Sequence, residues 1–179
     1  MVINEADSLI NYKVTTVTDN TKMLKQAIAL LAKRMVVVGY PEDKNVSREG
    51  SGITNASLAY IQDRGSPANN IPPRPFLQPG VDKVTPAIQR RLAQGARAVL
   101  DGDAGGVDKS LNQAGLTAQA GVRSYITNGN FTALKPGTLK GRQRKGFRGT
   151  KPLIVTGQLR NAVNYSLRNR RGGGGYAGA

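Results

Sequence analysis

The sequence predicts an α+β fold: a small mixed or antiparallel sheet packed by two to three helices, with long basic and proline-rich loops. Three observations predict it. Apolar residues recur at helical spacing over 21–34, 81–100 and 107–126. Short β-branched or apolar runs stand at 10–18, 35–40 and 164–170. Five of the nine prolines (Pro67, Pro72, Pro73, Pro75 and Pro79) fall in one stretch that neither pattern occupies. Residues 1–170 read as a single domain of ordinary size, and 171–179 as a flexible glycine-rich tail.

In chain order, 10–18 is rich in β-branched residues and reads as an edge-type strand. Asp19, Asn20 and Thr21 offer helix caps. Leu24, Ala27, Ile28 and Leu31 then make one apolar face of a helix over about 21–34. Met35-Val-Val-Val-Gly-Tyr is a buried strand, and Pro41 stops it. Residues 42–52 have loop composition. Thr54 or Asn55 caps a short helix carrying Leu58, Tyr60 and Ile61, which Gly65-Ser-Pro closes.

Residues 71–75, Ile-Pro-Pro-Arg-Pro, are neither helix nor central strand, because each proline fixes φ and removes a donor. They read as a stiff arm near polyproline II, ending in the apolar pair Phe76-Leu77. From the residues alone, the arm joins two helices and Phe76 tucks into the core; docking against a second subunit is the alternative. A helix over 81–100 carries Val84, Ile88, Leu92, Ala96 and Val99, with Thr85 as its cap and Pro86 in its first turn. A third over 107–126 carries Val107, Leu111, Ala114, Ala118, Val122 and Tyr125. Its Gly115 and Gly121 weaken it by roughly 1 kcal/mol each, yet let a neighbouring helix come close. Residues 127–152 read as a basic loop, Thr156 caps a short helical turn, and the last strand begins at Asn164.

The chain has no cysteine and no histidine. That removes disulfides, thiolate metal sites and the commonest general base, so most nucleophilic and metal-dependent mechanisms lose their usual parts. Residues 1–9 lack the apolar core of a signal peptide, and no run approaches a membrane span. Asp101, Asp103 and Asp108 lack calcium-loop spacing and read as a solvated turn with helix N-terminal charge. Neither Gly102-Asp-Ala-Gly-Gly nor the run beginning at Gly172 is a phosphate loop. No catalytic residue, cofactor or metal is expected.

Charge is the strongest compositional feature. The formal net charge is +15, with 26 bases and 11 acids. All 11 acids lie before residue 109, and the 71 residues from Lys109 onward carry 13 bases and no acid. Such a segment cannot neutralise itself and calls for an anionic neighbour. Its basic residues Lys135, Lys140, Arg142, Arg144, Lys145, Arg148 and Lys151 are candidates to contact DNA phosphates or an acidic protein face. Only Phe147 is available there for stacking, so base reading is not expected.

Four segments occur in a telling order: Ala59-Tyr-Ile-Gln-Asp-Arg-Gly-Ser-Pro, Ile71-Pro-Pro-Arg-Pro-Phe-Leu, Leu134-Lys-Pro-Gly-Thr, and Lys151-Pro-Leu-Ile-Val-Thr-Gly-Gln-Leu-Arg-Asn-Ala-Val. This order resembles the small neck and tail-completion proteins of tailed bacteriophages. The resemblance implies a non-enzymatic virion component, assembled in the host cytoplasm and located at the head–tail junction. It implies a homo-oligomeric ring, commonly sixfold, that meets head connector or adaptor proteins on one side and tail terminator or tail tube proteins on the other. Double-stranded DNA would pass through the ring, and no membrane is involved. It moves the proline arm to a subunit interface, with Tyr60, Ile61, Ile71, Arg74, Phe76 and Leu77 as contact residues. The basic run at 140–148 would then be a separate element. The alternative, on charge alone, is an accessory protein that binds nucleic acid without sequence preference.

Overall fold

The computed structural model describes residues 21–41, 52–103 and 105–170, apart from the side chains at 23, 24, 27, 30 and 31. The expected strand at 10–18, the loop at 42–51 and the tail at 171–179 lie outside these residues.

A long central helix, Gly105–Asn128, organises the chain; it is α5 in an order that starts with α1 (Thr21–Lys33) and β1 (Arg34–Gly39). Next come α2 (Asn55–Arg64), a 3-10 turn at Pro67–Asn69, α3 (Leu77–Asp82) and α4 (Thr85–Leu100). After α5 follow α6 (Pro136–Arg144), α7 (Gln158–Asn161) and β2 (Asn164–Asn169). The fold is α+β, as expected. Among the described residues the sheet is a two-stranded antiparallel ribbon, with Arg34 opposite Asn169 and Gly39 opposite Asn164.

The apolar stripe of α5 is why it becomes the axis. Val107, Leu111, Ala114, Ala118 and Val122 are all buried, as their spacing predicts, and Ile126 joins them. Two core clusters sit along it. Val99, Val107 and Leu111 form one near its start, flanked by Val36, Leu92 and Leu167. Ala59, Phe76, Val122, Ile126, Leu153, Leu159 and Val163 form the other near its end. Gln119 and Arg123 tie the last strand down by donating to the Val163 carbonyl, each at 2.8 Å. On α1, Ile28 is 57% exposed, so its place on the predicted apolar face does not put it in the core.

The helix expected over 81–100 is divided. A turn at Lys83–Val84 separates α3 from α4, and Val84 rather than Thr85 holds the cap position. The Thr85 hydroxyl instead donates to the Val81 carbonyl at 3.1 Å. The break lets α3 cross α5 at glycine. A Cβ on Gly80 would lie 2.7 Å from the Val122 Cα, and one on Gly121 would lie 2.7 Å from the Gly80 carbonyl oxygen. The backbones therefore touch, and neither helix can yield without separating from the other. Gly80→Ala is expected to destabilise the fold by about 1–3 kcal/mol, read as a lower urea midpoint.

The basic stretch is not all loop. Pro136 opens α6 in its first turn, where a missing N–H costs nothing. A Schellman close ends it: the Phe147 N–H donates to the Arg142 carbonyl and the Gly146 N–H to that of Gln143, each at 2.9 Å, with Gly146 at φ +80°. No residue of α6 is buried, so it shows no apolar stripe for periodicity to find. At 156–158, Gly157 rather than Thr156 holds the cap position, although the Thr156 hydroxyl accepts from the Gln158 N–H at 3.3 Å.

Candidate functional site

The four ordered segments fold against one another around a single cleft of about 370 Å³. Gln62 of α2, Ile71 and Arg74 of the proline arm, Lys135, Thr138 and Arg142 around α6, and Leu153 with the stretch from Val155 to Leu159 all line it.

Two residues of α2 lock the arm in place. The Asp63 carboxylate accepts from the Phe76 N–H at 2.8 Å and the Leu77 N–H at 3.2 Å, holding two orphan donors at the start of α3. The Gln62 carbonyl accepts from the Arg74 N–H at 2.9 Å. At the tip, Ser66 and Ile71 exchange backbone bonds of 2.9 and 3.0 Å. Gly65 is required where α2 meets the arm: it has φ +80°, and a Cβ there would fall 2.8 Å from the Pro73 nitrogen.

The arm's two most prominent side chains point inward. Phe76 is fully buried in the core cluster at the end of α5. The expectation that it reaches a second subunit is therefore corrected: its own chain covers it completely. Arg74 is 5% exposed. Its Nε donates to the Thr132 carbonyl at 2.9 Å and its guanidinium reaches that of Ala133 at 3.4 Å, so it too is engaged within the chain. Leu77 is half-buried against the same core, and Ile61 is half-buried on α2. Of the six residues expected at an interface, Ile71 lines the cleft and Tyr60, 69% exposed, offers its side chain to solvent.

The basic residues divide into two groups. Arg142 acts as a brace: one guanidinium nitrogen donates to the carbonyls of Gly149, Lys151 and Ile154 at 2.9–3.1 Å. Lys151 donates to the Thr127 carbonyl at 3.1 Å, fastening its strand of loop to the end of α5. Lys135 donates to Asn70 Oδ1 at 2.6 Å, joining α6 to the proline arm. Lys140, Arg144, Lys145 and Arg148 are exposed. Lys135 thus joins the start of α6 to the arm, while the hydrogen bonds of Arg142 go to the loop at 149–154.

Charge is uncompensated in the cleft. Arg74, Lys135 and Arg142 all line it, and no carboxylate does. Burial lowers the Arg74 pKa from its ordinary value; burial first, and then the charge of Arg74, lower that of Arg142. A guanidinium so placed stays cationic at neutral pH and favours an anion. The neutral polar members, Gln62, Asn70, Thr138 and Gln158, carry no charge pattern that marks them in the sequence. Among the described residues no cluster of three metal-ligating side chains occurs, and no helix is long and apolar enough to cross a membrane.

Tyr40, just past β1 and packed against the core, donates from its hydroxyl to the carbonyl of the cleft-lining Leu159 at 3.0 Å. Burial, and then the Asp63 charge, raise its pKa well above the ordinary tyrosine value. An unfolded tyrosine ionises near pH 10. The stability this phenol contributes is therefore full below about pH 10 and is lost as pH rises through the higher folded value. The urea midpoint is expected to fall more steeply above pH 10 in the wild type than in Tyr40→Phe.

No family model, no curated protein and no solved structure matches the chain.

Proposed function

We propose that the protein is a structural component of a phage particle, forming a ring at the head–tail junction that completes the tail and joins it to the head connector, with DNA passing through. The observation that carries this is the convergence of the four neck-like segments on one cleft. Segments that share only an order in the sequence have no physical need to meet; these four brace one another. The acid-free stretch from Lys109 onward supports the same reading, because it presents Lys140, Arg144, Lys145 and Arg148 to an anionic neighbour. The ring's copies would contact each other, connector or adaptor proteins above, tail terminator or tube proteins below, and the DNA within. No chemistry is assigned to it.

Light scattering on the full chain, alone and with connector and tail proteins, tests the reading: rings are expected, and a monomer under every condition refutes it. Reversing Arg144, Lys145 and Arg148 to Glu is expected to leave the fold intact and impair joining or DNA retention. Unchanged infectivity would make that face a solvated one. The same exposed cations support a second reading, a nucleic-acid-binding accessory protein. There, an isolated monomer binds DNA tightly, and neutralising each phosphate-contacting cation lowers the log–log salt slope by about 0.9.

A further inference from the structure

We propose that the cleft receives the turn between α4 and α5 of a second copy. This rests on the ring reading and specifies which surfaces meet.

The cleft defines its occupant by chemistry. The hydrogen bonds of its three cations go to neutral oxygens: Arg74 to two carbonyls and Gln62, Lys135 to Asn70, Arg142 to three carbonyls. Between them stand apolar walls from Ile71, Leu134, Leu153 and Leu159. A phosphate backbone would satisfy the cations and leave those walls uncovered. A protein segment with a carboxylate beside an apolar side chain satisfies both.

The described residues present that combination at the α4–α5 turn. Leu100 is 39% exposed, and Asp101 and Asp103 beside it are exposed. Gly102, at φ +86°, makes the tip, and nothing lies within 4 Å of where its Cβ would be. The other described carboxylates are engaged at home: Asp63 with the start of α3, Asp82 with Gln78, and Asp108 with Arg34. Asp103 shares one oxygen with the Gly106 N–H, which leaves Asp101 as the carboxylate with most freedom to pair.

Turn and cleft lie at opposite ends of α5, whose 24 residues span about 36 Å. The turn leads into its first residue, and Lys151 and Arg74 bind the chain at and just past its last turn. The two surfaces of one copy cannot reach each other, so their contact joins one copy to the next, head to tail. Such a heterologous contact closes into a ring when its rotation allows.

The test uses full-length chains and sedimentation velocity at low salt. Asp101→Ala removes the carboxylate of the turn and leaves the cleft; Lys135→Glu spoils the cleft and leaves the turn, and the two altered surfaces carry no complementary charge. Each alone is expected to weaken self-association at least about tenfold. Mixed, they are expected to form heterodimers and nothing larger, since each pair retains one intact turn and one intact cleft. If both variants assemble like wild type, the proposed contact is wrong while the ring reading stands. If the wild type itself is monomeric with and without partners, both fall. If Lys135→Glu lowers DNA affinity and leaves the mass distribution unchanged, the cleft is a nucleic-acid site and the proposal is overturned.

Discussion

Phe76→Ala is expected to cost about 3–5 kcal/mol of stability, seen as a large drop in the urea midpoint of the isolated chain. The ring is fully buried among Ala59, Val122, Ile126, Leu153, Leu159 and Val163, which come from four separate parts of the chain. Truncation leaves a cavity against Val122, beside the crossing where α3 and α5 already touch through Gly80 and Gly121, so collapse is restricted. A variant that kept wild-type stability and failed only in assembly would return Phe76 to an interface. Phe76→Leu, which restores part of the volume, is expected to recover much of the loss.

Arg74→Met is expected to cost about 3 kcal/mol, through a different route. The methionine fills much of the space but leaves the Thr132 and Ala133 carbonyls without their charged donor. Those carbonyls lie in the link from α5 to α6, so the loss should loosen α6 as well as the proline arm. Arg74→Lys should rescue little, because a single ammonium cannot reproduce the fork that spans two carbonyls and Gln62. Lys135→Ala, which removes one exposed bond to Asn70, serves as the mild control.

Much of the fold is written in local pattern. α4 and α5 were legible because their apolar residues face one side, and the two strands because their runs are short and bounded by Pro41 and by the turn at 161–163. α6 was not, because a helix that buries nothing has no period to show. Its start signal, Pro136, and its stop signal, Gly146-Phe147 after a basic last turn, were both present and are the clues that would have found it. The break before α4 was hidden because Val84 and Ile88 fit one continuous stripe.

The site was legible in its members and not in its arrangement. Arg74 sits among prolines, where a guanidinium reads as exposed; its partners lie 58 and 59 residues away, and no local pattern encodes them. Arg142 looked like one charge in a run, yet three carbonyls from a single loop claim it. Phe76 shows the converse. The local reading, an apolar group at the end of a stiff arm, placed it in the core, and the family resemblance drew it outward. The core placement is what the structure has.

In mechanical terms, α5 is a strut. One core cluster grips it near its first turns and the other near its last, and the basic end of the molecule is fastened to it through Thr127. A pull on that end travels along a continuous ladder of backbone hydrogen bonds before it meets the turn at Asp101–Asp103. Leu153, Leu159 and Val163 in the second core load in shear beside the Lys151–Thr127 bond, so that bond does not hold the basic end alone.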